Sequence, residues 1–504
     1  MPLTQTIDMR SAIRRPAAAT LAGTVVAGGY CVGCGACTVV AGSPMRLGWT
    51  ALGRLEAFEG PESSPGSTIA AEPAGLQAVC PFGAAAPDED ALAADLFPAA
   101  APHPEIGRHL AAWAGHVAEG GWRQSGSSGG MGSWIAAELL RSGRVDAVLH
   151  VHPREPTEGD ERLFAYGLST TPEQVADGAK SRYYPVELGG VMATLRERPG
   201  RYAVIGVPCF VKAVRLLARQ DPVVAERVAA CVALVCGHLK SARFAESLAW
   251  QMGVPPAALQ AVDFRHKLAG RPANEYGFAL RSRGAAPGAA PLVRPMKELA
   301  GHDWGMGFFK LKACDYCDDV LGELADIVVG DAWLPDFLAD SAGTNIVVVR
   351  RPDLAGMVEA AIAAGRLALR PIGADAVAAS QRAGLRHRRD GLAYRLWLQD
   401  RAGRWRPPKR VLPRADHLGW RQRRVFRDRI ALQELSHAAY DRARREGRLD
   451  LFLDAMRQPM RSYYATLKMP LWKLLLLPVR NWIRTFARGT LGPGGAQRRR
   501  EAAR

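Results

Sequence analysis

Long hydrophobic runs are missing from this 504-residue chain. Its apolar stretches are short, such as Val228 to Cys236 and Leu474 to Leu477, whereas a helix crossing a bilayer needs about 20 apolar residues. No transmembrane segment is expected. No secretion signal is expected either: Arg10, Arg14 and Arg15 precede an Ala-rich stretch, but Gly and Thr interrupt it. Cysteine is sparse, with nine residues, an odd number, which argues against a secreted disulfide framework. No internal repeat is visible. These absences lead to the expectation of a cytoplasmic protein, where reduced and clustered thiols more often hold metal than pair.

Hydrophobic residues make up 48% of the chain and charged ones 23%, a globular composition that rules out wholesale disorder and has room for two or three domains. The formal charge of +17 resembles that of a nucleic-acid binder, but its distribution does not. From Arg401 to Arg504 there are 26 Lys and Arg against 8 Asp and Glu; the first 400 residues hold 40 basic and 41 acidic residues. The body is neutral and the basicity is terminal. Nucleic acid fits poorly as a partner, because no recognised reading module accompanies the arginines.

Residues 1–30 are expected to be flexible, and 31–100 form a Gly-, Pro- and Ala-rich segment carrying cysteines. A Pro/Gly/Ser-rich loop lies at Gly60 to Ser67, and an acidic patch at Asp88 to Asp90. Between about Trp113 and Pro352, short β-branched runs (Val145–Val151, Tyr202–Val207, Cys231–Val235, Ile327–Val329, Ile346–Val349) alternate with helical stretches (Gly132–Arg141, Val211–Arg219, Ala242–Met252). The expected fold is therefore an α/β core over 101–370, with an N-terminal ferredoxin-like segment over 31–100 and a basic helical extension over 371–504.

Cys31-Val-Gly-Cys34-Gly-Ala-Cys37 has the C-x2-C-x2-C spacing that wraps three thiolates around one iron–sulfur cube. Cys80, followed by Pro81, is the candidate fourth ligand, since the cluster needs a thiolate nearby in space and not in sequence. Structural zinc is the competing reading, although zinc sites usually come as C-x2–4-C pairs; incidental thiols are the third. Cys209 and Cys236 stand at strand ends, where α/β sheets gather ligands, and Cys314-Asp-Tyr-Cys317 forms a further pair. These four are candidates for a second cluster. Cys231, within a strand, reads as a small buried hydrophobe.

The stretch Ser125-Gly126-Ser127-Ser128-Gly129-Gly130 precedes an amphipathic helix and suits a phosphate or pyrophosphate, with a flexible linker as the alternative. Taken in order, CVGCGAC, CP, SGSSGG, AKSRYYPV, GVPC, VCGH, DFRHK, CDYC and ADIVVGDAW resemble the beta-subunit family of coenzyme F420 hydrogenases and dehydrogenases, from Cys31 to Pro352. That family includes the 7-hydroxymethyl chlorophyll reductases and the divinyl chlorophyllide 8-vinyl reductases.

The resemblance implies an FAD-dependent oxidoreductase with two 4Fe-4S clusters, held by Cys31, Cys34, Cys37 and Cys80 and by Cys209, Cys236, Cys314 and Cys317. Ser125 to Gly130 is similar to the family's flavin phosphate loop, and Lys180, Ser181 and Arg182 to its second flavin-contacting stretch. Arg265 belongs to the basic stretch Asp263 to Lys267, and Asp331 to the Gly-Asp-x-Trp motif. Ala36 stands where chlorophyll reductases carry Leu, and Cys80 is remote, which speaks against a tetrapyrrole. Other motifs look more like members associated with exopolysaccharide biosynthesis.

Electrons would then pass from a ferredoxin-like donor through the clusters and FAD to a small organic substrate. His238, His266 and Lys267 are candidate proton donors, each with a plain structural alternative. A deazaflavin or tetrapyrrole reductase, and a non-catalytic electron-transfer or assembly subunit, are the other readings. The segment Met469 to Arg488 carries Leu475, Val479, Trp482, Ile483 and Phe486 among basic residues. It suits either the surface of the inner membrane or a docking contact with protein.

Overall fold

The computed structural model describes residues 20–60, 75–286 and 288–467. Along the chain come a hairpin of β1 (Met45–Trp49) and β2 (Leu55–Glu59), then β3 (Ala111–Val117), α1 (Met131–Arg141), β4 (Ala147–Pro153) and β5 (Phe164–Ser169). Next are β6 (Tyr202–Gly206), α2 (Pro208–Ala218), β7 (Val228–Leu234) and α3 (Arg243–Gln251). After the antiparallel strands β8 (Leu259–His266), β9 (Gly277–Ser282) and β10 (Leu292–Pro295) follow β11 (Ile327–Asp331), β12 (Asn345–Val349), α4 (Pro352–Ala363) and β13 (Leu367–Pro371). Helices α5 (Arg382–Arg388), α6 (Asp390–Arg401), α7 (Trp420–Glu446) and α8 (Leu449–Thr466) complete the described chain, with shorter helical turns between these elements.

Eight strands form one sheet in the order β13-β3-β12-β11-β7-β6-β4-β5. Its centre, β4-β6-β7-β11, is parallel, and both flanks are antiparallel. Side-chain alternation divides the central strands between two cores. Tyr202, Val204, Cys231, Ala233, Val328, Ile346 and Val348 face one side, where α2 and the N-terminal segment pack. Ala203, Val232, Ile327, Val329, Val347 and Val349 face the other, covered by α1 and α4. Each fully buried Val or Ile contributes about 1.5–3 kcal/mol over an exposed one. Cys231 is fully buried in the first core, packed as an apolar side chain.

Several expectations change. Leu21, Val25 and Tyr30 are buried in the same core as Cys34 and Cys37, so the stretch from Leu21 to Tyr30 is not a loose arm. The C-terminal helices are not an appendage either. Leu432, Tyr440, Phe452, Met456 and Tyr463 of α7 and α8 share a third core with Phe244, Phe264, Phe308 and Phe309. Arg388 and Arg395 of the extension are 2% and 1% exposed. The Pro/Gly/Ser loop beyond Gly60 and the amphipathic stretch Met469 to Arg488 lie outside the described residues. Among the described residues no helix is long and apolar enough to cross a membrane.

Candidate functional site

Strands β3, β6, β7 and β11 all end on one edge of the large sheet, and the segments that follow them carry most of the chemistry-bearing residues. Beyond β6 comes Cys209, in the first turn of α2; beyond β7 comes Cys236; beyond β3 comes the Ser/Gly loop.

Cys31, Cys34 and Cys37 lie on a tight loop beneath the β1–β2 hairpin, and Cys80 follows the helical turn Leu76–Val79. Gly33, at φ +67°, is required there, because a Cβ would stand 2.5 Å from the Leu55 carbonyl oxygen. The amides of Gly33 and Ala57 each donate to Cys31 Sγ at 3.4 Å. Burial raises the Cys34 thiol to about 12 and pushes those of Cys31, Cys37 and Cys80 up as well; except at Cys31, neighbouring thiols add to the rise. Glu56 and Glu187 add negative charge beside Cys31 and Cys34.

Cys209, Cys236, Cys314 and Cys317 line one cavity together with Val32, Phe82 and Arg388. Burial again raises these thiols, Cys314 to about 12, and the charge of Cys209 is felt against Cys34 of the first group. The Leu239 amide donates to Cys314 Sγ at 3.2 Å, and Arg388 Nη1 to Cys317 Sγ at 2.6 Å. All nine cysteines are free. Among the described residues no three His, Cys, Asp or Glu side chains converge on a point fit for one metal ion. Each group nonetheless presents what an iron–sulfur cube requires: four neighbouring thiols, shielded from water, with N–H donors on sulfur.

The Ser/Gly loop is braced from three directions. The Ser181 amide donates to Ser127 Oγ at 2.8 Å; Lys180, at φ +93°, makes that approach and pairs with Asp263 at 3.2 Å. Ser128 Oγ donates to the Thr344 carbonyl at 3.1 Å. The first amide of α1, at Met131, donates to Asn345 Oδ1 at 3.1 Å. Gly130, at φ +85°, lies so close to the preceding turn that a Cβ would sit 2.7 Å from the Trp122 carbonyl carbon. The loop therefore opens as a cradle at a helix N-terminus, suited to phosphate.

Facing the cradle, Ser127, Arg265, Lys267, Glu275, Tyr276 and Gly343 help line a cleft. Arg265 is buried, pairs with Asp331, lies 4.9 Å over the Tyr276 ring, and keeps its Nε without a partner. Lys267 Nζ donates to the Ser128 carbonyl at 2.9 Å and to that of Arg123. Burial, helped by Lys180, Arg123 and Arg265, lowers the Lys267 ammonium to about 8. Arg182 stacks at 4.9 Å over Phe164, and burial lowers it to about 10. Two cations in the lining, Arg265 and Lys267, the Ser127 hydroxyl and an unpartnered guanidinium N–H make a donor set that fits a pyrophosphate such as that of FAD.

The three candidate proton donors are not brought together. Lys267 lines the cleft, whereas His266 turns toward Asp263, with Nδ1 3.7 Å from its carboxylate. His238 lies against Trp304, ring centroids 4.5 Å apart, and has a buried Nε2 without a partner. Burial lowers it well below the usual histidine range. Trp304 in turn meets Tyr183 at 4.7 Å and donates from Nε1 to the Tyr276 hydroxyl at 3.2 Å. An aromatic line thus runs from beside Cys236 to the cleft. Asn345, Tyr276, Trp304 and Arg388 were not singled out from the sequence; only the aromatic residues offered a signal, and a weak one.

Residues 112–193 match the family described as coenzyme F420 hydrogenase/dehydrogenase, beta subunit N-term. Residues 200–375 match the family described as the C terminus of the same beta subunit, so that the two matches span about half the chain. Among solved structures, the chain is similar to one from the F420-reducing NiFe hydrogenase complex of Methanosarcina barkeri. The identity is 17%, with 59% of this chain and 96% of that chain covered at a TM-score of 0.45. No curated protein matches.

Proposed function

Because the chain belongs to the coenzyme F420 hydrogenase/dehydrogenase beta-subunit family, we propose that it is an oxidoreductase carrying FAD and two 4Fe-4S clusters. It takes electrons from a ferredoxin-like donor and reduces a small organic substrate. The observation that carries this reading is the placement of two four-cysteine groups side by side, at Cys34 and Cys209, near a cationic Ser/Gly cleft on one sheet edge.

Bound FAD supplies the conversion between single-electron and hydride transfer. The substrate gains a hydride equivalent and a proton, while the donor gives up two electrons in two single steps. Arg265 and Lys267 line the cleft and would neutralise the charge of phosphates held there. Lys267, poised at about 8, holds a proton at Nζ near neutrality. Gly130 keeps the backbone near enough for the loop amides to approach an oxygen. His238, Trp304 and Tyr183 fill the space between the second cysteine group and the cleft, excluding water from it. Substrate chemistry in polysaccharide or envelope metabolism is the context suggested by the motif resemblance.

The test is anaerobic purification with iron, sulfide and flavin analysis. About eight irons and one flavin per chain are expected, given two 4Fe-4S clusters. A chain with neither flavin absorbance nor a reducible iron centre would refute the proposal.

A further inference from the structure

Arg388 lies 13 residues beyond the last matched position of the family, at the C-terminal end of α5, yet it reaches into the second cysteine group. Its Nη1 donates to Cys317 Sγ at 2.6 Å and to the Asp319 carbonyl at 2.8 Å. Its Nη2 donates to the carbonyls of Cys236 at 3.0 Å and Gly237 at 2.7 Å, and lies 3.7 Å from Cys236 Sγ. Nε is buried and has no partner. The side chain is 2% exposed and forms no ion pair with a carboxylate among the described residues.

A buried guanidinium with no counter-ion is costly. The groups that face it are Cys317 Sγ, which accepts from Nη1 at 2.6 Å, and Cys236 Sγ, 3.7 Å from Nη2, with Cys314 and the buried Asp319 nearby. A cation on these sulfurs favours negative charge in the cavity they line. The first cysteine group differs in that its described sulfur contacts are backbone amides; carboxylates stand beside both groups, Glu56 and Glu187 at the first and Asp318 and Asp319 at the second.

We propose that Arg388 is a positioning residue for the second cluster that raises its reduction potential above that of the first, giving electrons a downhill direction from the Cys34 group to the Cys209 group. The inference rests on the two-cluster reading above. Hydrogen bonds and positive charge at cluster sulfurs favour the reduced, more negative state, and removing them lowers the potential. Taking up one electron changes only the cluster's charge, and the electron comes from the first cluster.

The full chain, reconstituted anaerobically, is compared with Arg388→Met and Arg388→Lys by iron analysis and by redox titration followed by electron paramagnetic resonance. In the wild type the second cluster is expected to be reduced at the higher potential. In Arg388→Met its reduced-to-oxidised ratio, read at the wild-type midpoint, is expected to fall by about tenfold, or about 59 mV for one electron. Arg388→Lys should show a smaller fall, with the first cluster unmoved in both. An unmoved second midpoint with full iron overturns the inference alone. Loss of half the iron from both variants also overturns it, assigning Arg388 to the integrity of the site. If only the methionine variant sheds iron, the lysine variant decides, and an unmoved midpoint again overturns it. A wild-type chain lacking the second cluster's iron overturns both this inference and the reading beneath it.

Discussion

Lys267 Nζ donates to the carbonyl of Ser128 at 2.9 Å, tying the end of β8 to the loop that opens α1. A cation held at the floor of an anion cradle invites replacement by a neutral isostere. Lys267→Gln removes a charged donor worth about 1.5–3 kcal/mol, and flavin affinity measured by fluorescence titration of the apoprotein should fall at least tenfold.

The same ammonium carries a pH signature. Its lowered value of about 8 means that a bound anion is lost as pH rises through that region, so flavin affinity should decline between pH 7 and 9. Stability without flavin moves the other way. The unfolded lysine holds its proton up to its ordinary value near 10.4, while the folded one releases it near 8. In that window the unfolded state binds more protons, and stability rises with pH. Lys267→Gln should flatten this local rise in denaturation midpoints.

Gly130→Ala forces a Cβ against the Trp122 carbonyl and places it on a left-handed backbone. The backbone term alone costs about 1–2 kcal/mol, and the clash adds to it. Differential scanning calorimetry should show a lower Tm, and the purified variant should carry little flavin. Gly190→Ala is the control: a Cβ there meets nothing within 4 Å and the residue lies within a helix, so the Tm should hold or rise.

Cys34→Ser and Cys209→Ser separate the two thiol groups. Each should remove about four of about eight irons while leaving the other centre reducible. Cys231→Ala should leave iron content unchanged, because Cys231 sits within β7 and its charged neighbours are Arg215, Asp326 and Arg351 and no other cysteine. Equal iron loss in all three variants would remove the assignment of two sets.

Ending the chain at residue 415 tests the role of α7 and α8. Their loss exposes Phe244, Phe308 and Phe309, and forfeits the burial of Leu432, Tyr440, Phe452 and Met456. At about 1.5–3 kcal/mol per side chain, these four forfeit about 6–12 kcal/mol, comparable to the whole 5–15 kcal/mol that holds a typical domain together. The shortened chain should therefore be insoluble or unfolded by circular dichroism.

Continuous β-branched runs made the central strands readable, since a run such as Ile346 to Val349 buries both faces of one sheet. Cys31, Cys34 and Cys37 were readable from spacing, and Ser127 from its place before a helix. The small sheet β8–β10 was not, because Leu259 to His266 mixes polar and apolar residues without a clean period. Arg388 was hidden for a different reason. Composition assigns arginine to solvent, and only partners remote in sequence, such as Cys317 and Gly237, show that this one is internal. The basic extension was legible as helix, but not as the wall of a core, because its apolar residues are diluted by arginines on the outer face.

Asp331 pairs with Asn345 across β11 and β12. Asp331 holds Arg265, and Asn345 holds the first amide of α1. The second of the two matched regions therefore completes the loop that belongs to the first. Neither half braces this loop alone. Fragments cut between residues 193 and 200 and expressed apart would each be flavin-blind, and binding would return only on reassembly, which makes cofactor capture a reporter of the joining of the two halves.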